Sequence, residues 1–133
     1  MTRASVASIR ESLTGILQGA AAGVVVTSDY IKAAESAKSI LIDNIVINYT
    51  HDLDSGSYRS ITAELMICTK AQSDLDVILD GIDLLDNTAR GILQPITLER
   101  VNLGEEDDPD AKVARATISA QINETIVFQY DVR

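Results

Sequence analysis

Tryptophan is absent from this 133-residue chain, phenylalanine occurs once, and aromatic residues supply only 4% of the sequence. A core drawn from that composition has to be built of Ile, Leu, Val and Ala, and few aromatic platforms remain for stacking bases or sugars. The one cysteine, Cys68, excludes an intrachain disulfide and any multi-cysteine metal site. Basic residues are in deficit: 11 Lys and Arg against 20 Asp and Glu leave a net charge of −9. That balance lacks the basic footprint of a sequence-specific nucleic-acid binder, although acidic walls suit a surface past which a polyanion slides. The apolar run from Gly19 to Val26 is far too short to span a bilayer. The polar, amphipathic start M-T-R-A-S-V-A-S-I-R-E-S-L is not a signal peptide, so synthesis in the cytoplasm and no membrane partner are expected. There is no P-loop, G-x-G-x-x-G, G-x-S-x-G or H-E-x-x-H, and with them the usual enzyme classes drop out.

What is present is hydrophobic periodicity. From Tyr58 to Lys70, Ile61, Ala63, Leu65 and Ile67 alternate with Ser60, Thr62 and Glu64, which predicts a strand with one buried face. The period then changes. Leu75, Ile78, Leu79, Ile82, Leu85, Ala89 and Ile92 recur at three- and four-residue steps and predict a helix, with Ser73 as N-cap, Asp76 three residues on and Pro95 beyond its end.

The rest of the chain can be ordered around this unit. Val6, Ile9, Leu13, Ile16 and Leu17 make an apolar stripe, predicting a first helix over about 3–18 that stops before Gly19. Residues 23–27 read as a short strand, and 29–38 as a helical turn or ordered loop. Residues 39–49 form a strand rich in β-branched residues, apolar on both sides and therefore central in its sheet. The polar segment 50–57, T-H-D-L-D-S-G-S, is the turn of an antiparallel hairpin. A strand over 95–103, an acidic loop over 104–110 and a long strand over 112–133, bent near Asn123, make a second hairpin. One α+β domain over 1–133 is expected: two layers, a mostly antiparallel sheet of four or five strands, and helices packed on one face.

Counting from Asp52 as the first position of a calcium loop puts Gly56 fifth and Ala63 twelfth, where such a loop needs Gly sixth and Glu twelfth. The match fails and a turn explains the residues. Glu105, Glu106, Asp107, Asp108 and Asp110 carry oxygen ligands, but a run of like charges favours a solvated or partner-facing loop over a metal site. Asp74, Asp76, Asp80, Asp83 and Asp86 lie off the apolar stripe and lack the surroundings that tune an acid–base pair. Cys68 and His51 have no nucleophile–base motif around them. No catalytic, metal or cofactor site is expected. The terminal stretch 125–132 is apolar and β-prone, suited either to completing its own sheet or to adding to the edge of a neighbour's.

The order of these parts carries a likeness. An amphipathic first helix, the strand S-I-L-I-D-N-I-V-I-N-Y, and the strand E-L-M-I-C-T-K running into the helix D-L-D-V-I-L-D-G-I-D-L-L are followed by the acidic E-E-D-D-P-D and the strand A-R-A-T-I-S-A-Q-I-N-E-T-I. Over roughly 3–130 this pattern resembles the small tail-terminator (tail-completion) proteins of tailed bacteriophages and related prophage particles. The resemblance implies a non-enzymatic virion subunit. It would form a ring, typically a hexamer, that caps the tail tube, meets the head connector and leaves a channel for DNA. Tail-tube and connector proteins are its implied partners. The hairpin tip with His51, Asp52 and Asp54, and the loop with Glu105, Glu106, Asp107, Asp108 and Asp110, are the expected assembly surfaces. Two other readings are another head–tail connector or tail-tube subunit and a non-catalytic cytoplasmic binding module.

Overall fold

The computed structural model describes residues 4–52, 56–85, 93, 96–103 and 112–122. The first apolar stripe forms helix α1 (Val6–Gln18), which buries Ile9, Leu13 and Leu17 at four-residue steps. Ser5 is its N-cap, its hydroxyl accepting the Ser8 N–H at 3.1 Å. At the other end Gly19 donates to the Ile16 carbonyl and Ala20 to that of Leu17, so the helix stops where the glycine predicts. The stretch after it supplies strand β1 (Val25–Thr27) and the single turn of helix α2 (Tyr30–Ala34), capped by Asp29.

Two long strands follow, β2 (Lys38–Asp52) and β3 (Gly56–Thr69), then helix α3 (Gln72–Asp83), and finally strands β4 (Thr97–Leu103) and β5 (Lys112–Gln121). The five strands lie in the order β1-β2-β3-β5-β4. β1 runs parallel to β2, and the other three pairings are antiparallel. The expected hairpins, β2–β3 and β4–β5, are joined through β3–β5 into one sheet of an α+β domain. Gly56 opens β3 with φ +84°, a left-handed conformation that glycine adopts at no steric cost, within the turn expected over 50–57.

Several expectations change in detail. β2 carries Ile40, Ile42, Ile45 and Ile47, a spacing that reads as apolar on both sides. A bulge between Ile42 and Asn44 resets the phase, so these residues pair with Ile67, Leu65, Ala63 and Ile61 on one face, while Leu41, buried and opposite Met66, bears out the expected apolar character of the other. Ser73 is not the cap of α3: the N-cap position is Ala71, which makes no side-chain cap bond, and Ser73 lies inside the first turn. The helix is shorter than its stripe predicts: it ends at Asp83, where Leu84, the C-cap, makes the last bond to the Asp80 carbonyl and Leu85 donates only three residues back to Ile82, while the continuation expected at Ala89 and Ile92 lies outside the described residues. The same holds for the last strand beyond Ile122, including the expected bend near Asn123.

The core lies between the sheet and the two longer helices. It joins Ile9, Leu13 and Leu17 of α1, Leu75, Ile78 and Ile82 of α3, and the alternating residues of β3 and β5 such as Leu65 and Ile118. Burial of this kind contributes about 1.5–3 kcal/mol per large aliphatic side chain. Both helices reach the same face because of one close approach. A Cβ placed on Gly81 of α3 would stand 1.8 Å from the Ala20 carbonyl oxygen, just past the end of α1. Gly81→Ala is therefore expected to destabilise the protein by about 1–3 kcal/mol through overpacking, against a helix-propensity gain of about 1 kcal/mol. Chemical denaturation measures the sign; a more stable variant would show that the contact is not as close as described.

Candidate assembly surface

Strand alternation that sends the apolar residues to the helices sends a polar set to the opposite face. On β3 these are Thr62 and Glu64, on β5 Arg115, Thr117 and Ser119, and on β4 Thr97, Arg100 and Asn102. The rows are tied sideways. Asn48 of β2 donates through Nδ2 to Thr62 Oγ1 at 3.0 Å. The Ser119 hydroxyl donates to the Glu99 carboxylate. Arg115 Nη1 stands 3.5 Å from Asp43 Oδ2, with the two side chains 61% and 50% exposed. In such solvated positions the pair contributes at most about 0.5 kcal/mol and acts more as a steering contact than as a brace.

Glu64, Arg100, Asn102, Arg115 and Thr117 line a shallow concavity of about 320 Å³ on this face. Two guanidinium groups face it, yet Asp43, Glu64 and Glu99 lie in the same area, so its charge is mixed rather than cationic. A phosphate backbone would meet carboxylates here as well as arginines. A protein surface of alternating charge fits better. Among the described residues no group of three or more His, Cys, Asp or Glu is placed to hold a metal ion. Nor is any described helix long and apolar enough to cross a membrane.

The described residues include only part of the two predicted assembly surfaces. His51 is exposed near the end of β2, its backbone opposite Ser57, and Asp52 pairs with Gly56 at the mouth of the hairpin. Asp54 and the five acidic residues Glu105, Glu106, Asp107, Asp108 and Asp110 lie outside the described residues. The strands that flank the acidic segment are described. Leu103 pairs with Ala114, and Lys112 lies opposite Thr69 at the far end of β3. Gly56 at the hairpin mouth and Thr69 opposite Lys112 therefore stand at opposite ends of the 14-residue β3, roughly 40 Å apart. The described aspartates of α3 take the positions expected of a solvated face, with Asp76, Asp80 and Asp83 exposed and Asp74 half-buried, while Asp86 lies outside the described residues. Cys68 is half-buried on β3, as its strand position predicts.

One buried charged residue has no counterpart in the sequence reading. Arg59 is 5% exposed, because it lies in phase with Ile61 and Ala63 on the helix side of β3. Its Nη2 donates to the Ala4 carbonyl at 3.0 Å, just before α1 begins, and its guanidinium carbon lies 5.9 Å from the centre of the Tyr49 ring. Period-two counting back from Ile61 is the signal that would have found it.

No protein-family model and no curated protein sequence matches the chain. Among solved structures it is similar to a chain of a structure described as the virion of a native gene transfer agent (GTA) particle. The TM-score is 0.56 at 13% identity, over 89% of this chain and 98% of that one. At that identity the likeness shows a shared fold, and it extends over nearly the full length of both chains.

Arg59 anchors the entry to α1, so Arg59→Ala is expected to lower stability by roughly 2 kcal/mol, the scale of a lost hydrogen bond from a charged donor together with lost packing. Arg59→Lys is expected to recover only part of it, because an ammonium cannot copy the planar fork. Thermal melts of both variants check this. Equal stability of wild type and Arg59→Ala would remove the anchoring role.

Proposed function

We propose that this chain is a structural subunit of a phage-like virion, working as a tail-terminator-like ring subunit that caps the tail tube and joins it to the head connector. The observation that carries the reading is the fold shared over nearly the whole of both chains with a component of a gene transfer agent virion. The order of elements that resembles tail-terminator proteins supports it from the sequence side. The polarity of the molecule is in keeping with the role. A subunit that docks on a tube below and a connector above needs two distinct contact ends; His51 and Asp52 lie at one end of the sheet, and Leu103 and Lys112, which flank the acidic segment in sequence, lie at the other. The net charge of −9 suits a channel through which DNA slides without sticking.

No step of this function is chemical. The work is association: subunits close into a ring, the ring blocks further addition of tube subunits, and its other side offers a surface to the connector. Such a subunit resides in the virion neck after assembly in the host cytoplasm.

The mass of the native assembly, with electron microscopy of the same sample, tests the reading. A closed ring, a hexamer by the resemblance, that binds tail-tube subunits is the expected result. A strictly monomeric chain at high concentration with no tube binding would overturn it and favour a cytoplasmic binding module. Self-assembly into long tubes would move the assignment to a tube subunit. Replacing Glu105, Glu106, Asp107, Asp108 and Asp110 with lysine is expected to leave the thermal melt in place while impairing assembly or DNA passage. Unchanged particle yield and infectivity would remove this segment from the contact surface.

A further inference from the structure

Strand β4 closes one side of the sheet, and among the described residues nothing pairs with its outer edge. It is also the least buried strand: of its seven residues only Leu98 is half-buried, and Val101 and Leu103 are exposed although they lie on the helix side. An exposed edge of this length is a ready template for another strand. Its two sides differ in character. Leu98, Val101 and Leu103 are apolar and face the helix layer, while Arg100 and Asn102 face the polar side next to Thr117 and Arg115.

The stretch after Ile122 has the complementary pattern. In N-E-T-I-V-F-Q-Y-D-V-R, Ile126, Phe128, Tyr130 and Val132 alternate with Val127, Gln129 and Asp131. An antiparallel register that sets Asp131 opposite Arg100 also sets Tyr130 opposite Val101, Gln129 opposite Asn102 and Phe128 opposite Leu103. Apolar residues then meet apolar residues on one side, and on the other an amide meets an amide and a carboxylate meets a guanidinium.

The same chain cannot make this pairing. Ile122 bridges Leu93 beyond the start of β4, whereas Phe128 would have to lie beside Leu103 at the opposite end. From Ile122 to the level of Ala114, the partner of Leu103, is roughly 26 Å along β5. The chain from Ile122 to Phe128 reaches at most about 21 Å when fully extended, and it would also have to cross β4. We infer that the segment Ile126–Val132 of one copy adds as an antiparallel strand to the outer edge of β4 in a second copy, in the register Arg100–Asp131. This rests on the ring reading in that both need self-association; it adds the contact by which neighbouring subunits hold one another.

The test is cross-linking in the full chain with Cys68 replaced by serine, so that added thiols stand alone. Asn102→Cys and Gln129→Cys are placed on separate, differently tagged copies that are co-expressed and then oxidised. The expected result is a disulfide joining the two tags, absent when Gln129→Cys is paired with Val101→Cys, which points to the other side. The register is read by charge exchange. Arg100→Asp and Asp131→Arg alone are each expected to weaken self-association roughly three- to tenfold per contact, and the double exchange to restore it. A disulfide that forms only within one chain carrying both cysteines would show that the segment completes its own sheet, which overturns the inference. Oligomers that persist without any cross-link would overturn it too, while leaving the ring reading standing. A monomeric wild type would end both. A cross-link between copies without rescue by the double exchange would overturn the register.

Discussion

The molecule depends on the absence of a side chain at position 81. Two amphipathic helices share one face of a five-stranded sheet, and α3 crosses the turn after α1 so closely that its backbone lies against the Ala20 carbonyl. Wider spacing would open the seam between Leu13 and Leu17 on one helix and Ile78 and Ile82 on the other, all of which are essentially fully buried. Among the described residues the core holds no aromatic ring to fill such a gap. Close approach of backbones takes the place of bulk, and the aliphatic side chains of β3 and β5 complete the packing.

Much of this was legible because period is a local property. The stripes of α1 and α3, the alternation along β3 and the two hairpins are each written within a dozen or so residues, and each is found at its predicted place, although α3 stops at Asp83, short of its stripe. What was not legible depends on partners distant in sequence. β1 is too short to declare its direction, and its parallel pairing with β2 follows from the turn of α2 between them. The Ser73–Asp76 capping pattern is present, but the strand delivers the chain so that α3 starts before it, with the Thr69 hydroxyl donating to the Ala71 carbonyl at the junction. Arg59 was legible in phase yet not in role, since its acceptor at Ala4 is brought near only by the packing of α1.

The candidate surfaces show the same division. Composition and turn chemistry single out His51–Asp54 and Glu105–Asp110 as polar segments, but nothing local states that the strand residues flanking them lie at opposite ends of the sheet. That follows from the β3–β5 pairing, which sets the start of β5 beside the end of β3. The mixed-charge concavity is still less visible. Asp43 and Arg115 are far apart in sequence, and they meet only because β3, lying between their strands, carries Glu64 and Met66 outward beside them.

Two bulges interrupt the sheet, one at Asp43 in β2 and one at Glu99 in β4, and each extra residue sends a carboxylate to β5, to Arg115 and to Ser119. Elsewhere in these strands, gain or loss of a single residue would turn the following isoleucines and leucines out to solvent. Loss of Asp43 would instead leave Ile42 opposite Leu65 and Ile45 opposite Ala63 in an unbroken ladder, forfeiting only a solvated ion pair and some local twist. The sheet thus holds its tolerance for length variation at two acidic positions, where insertions and deletions among divergent relatives can accumulate without disturbing the buried layer.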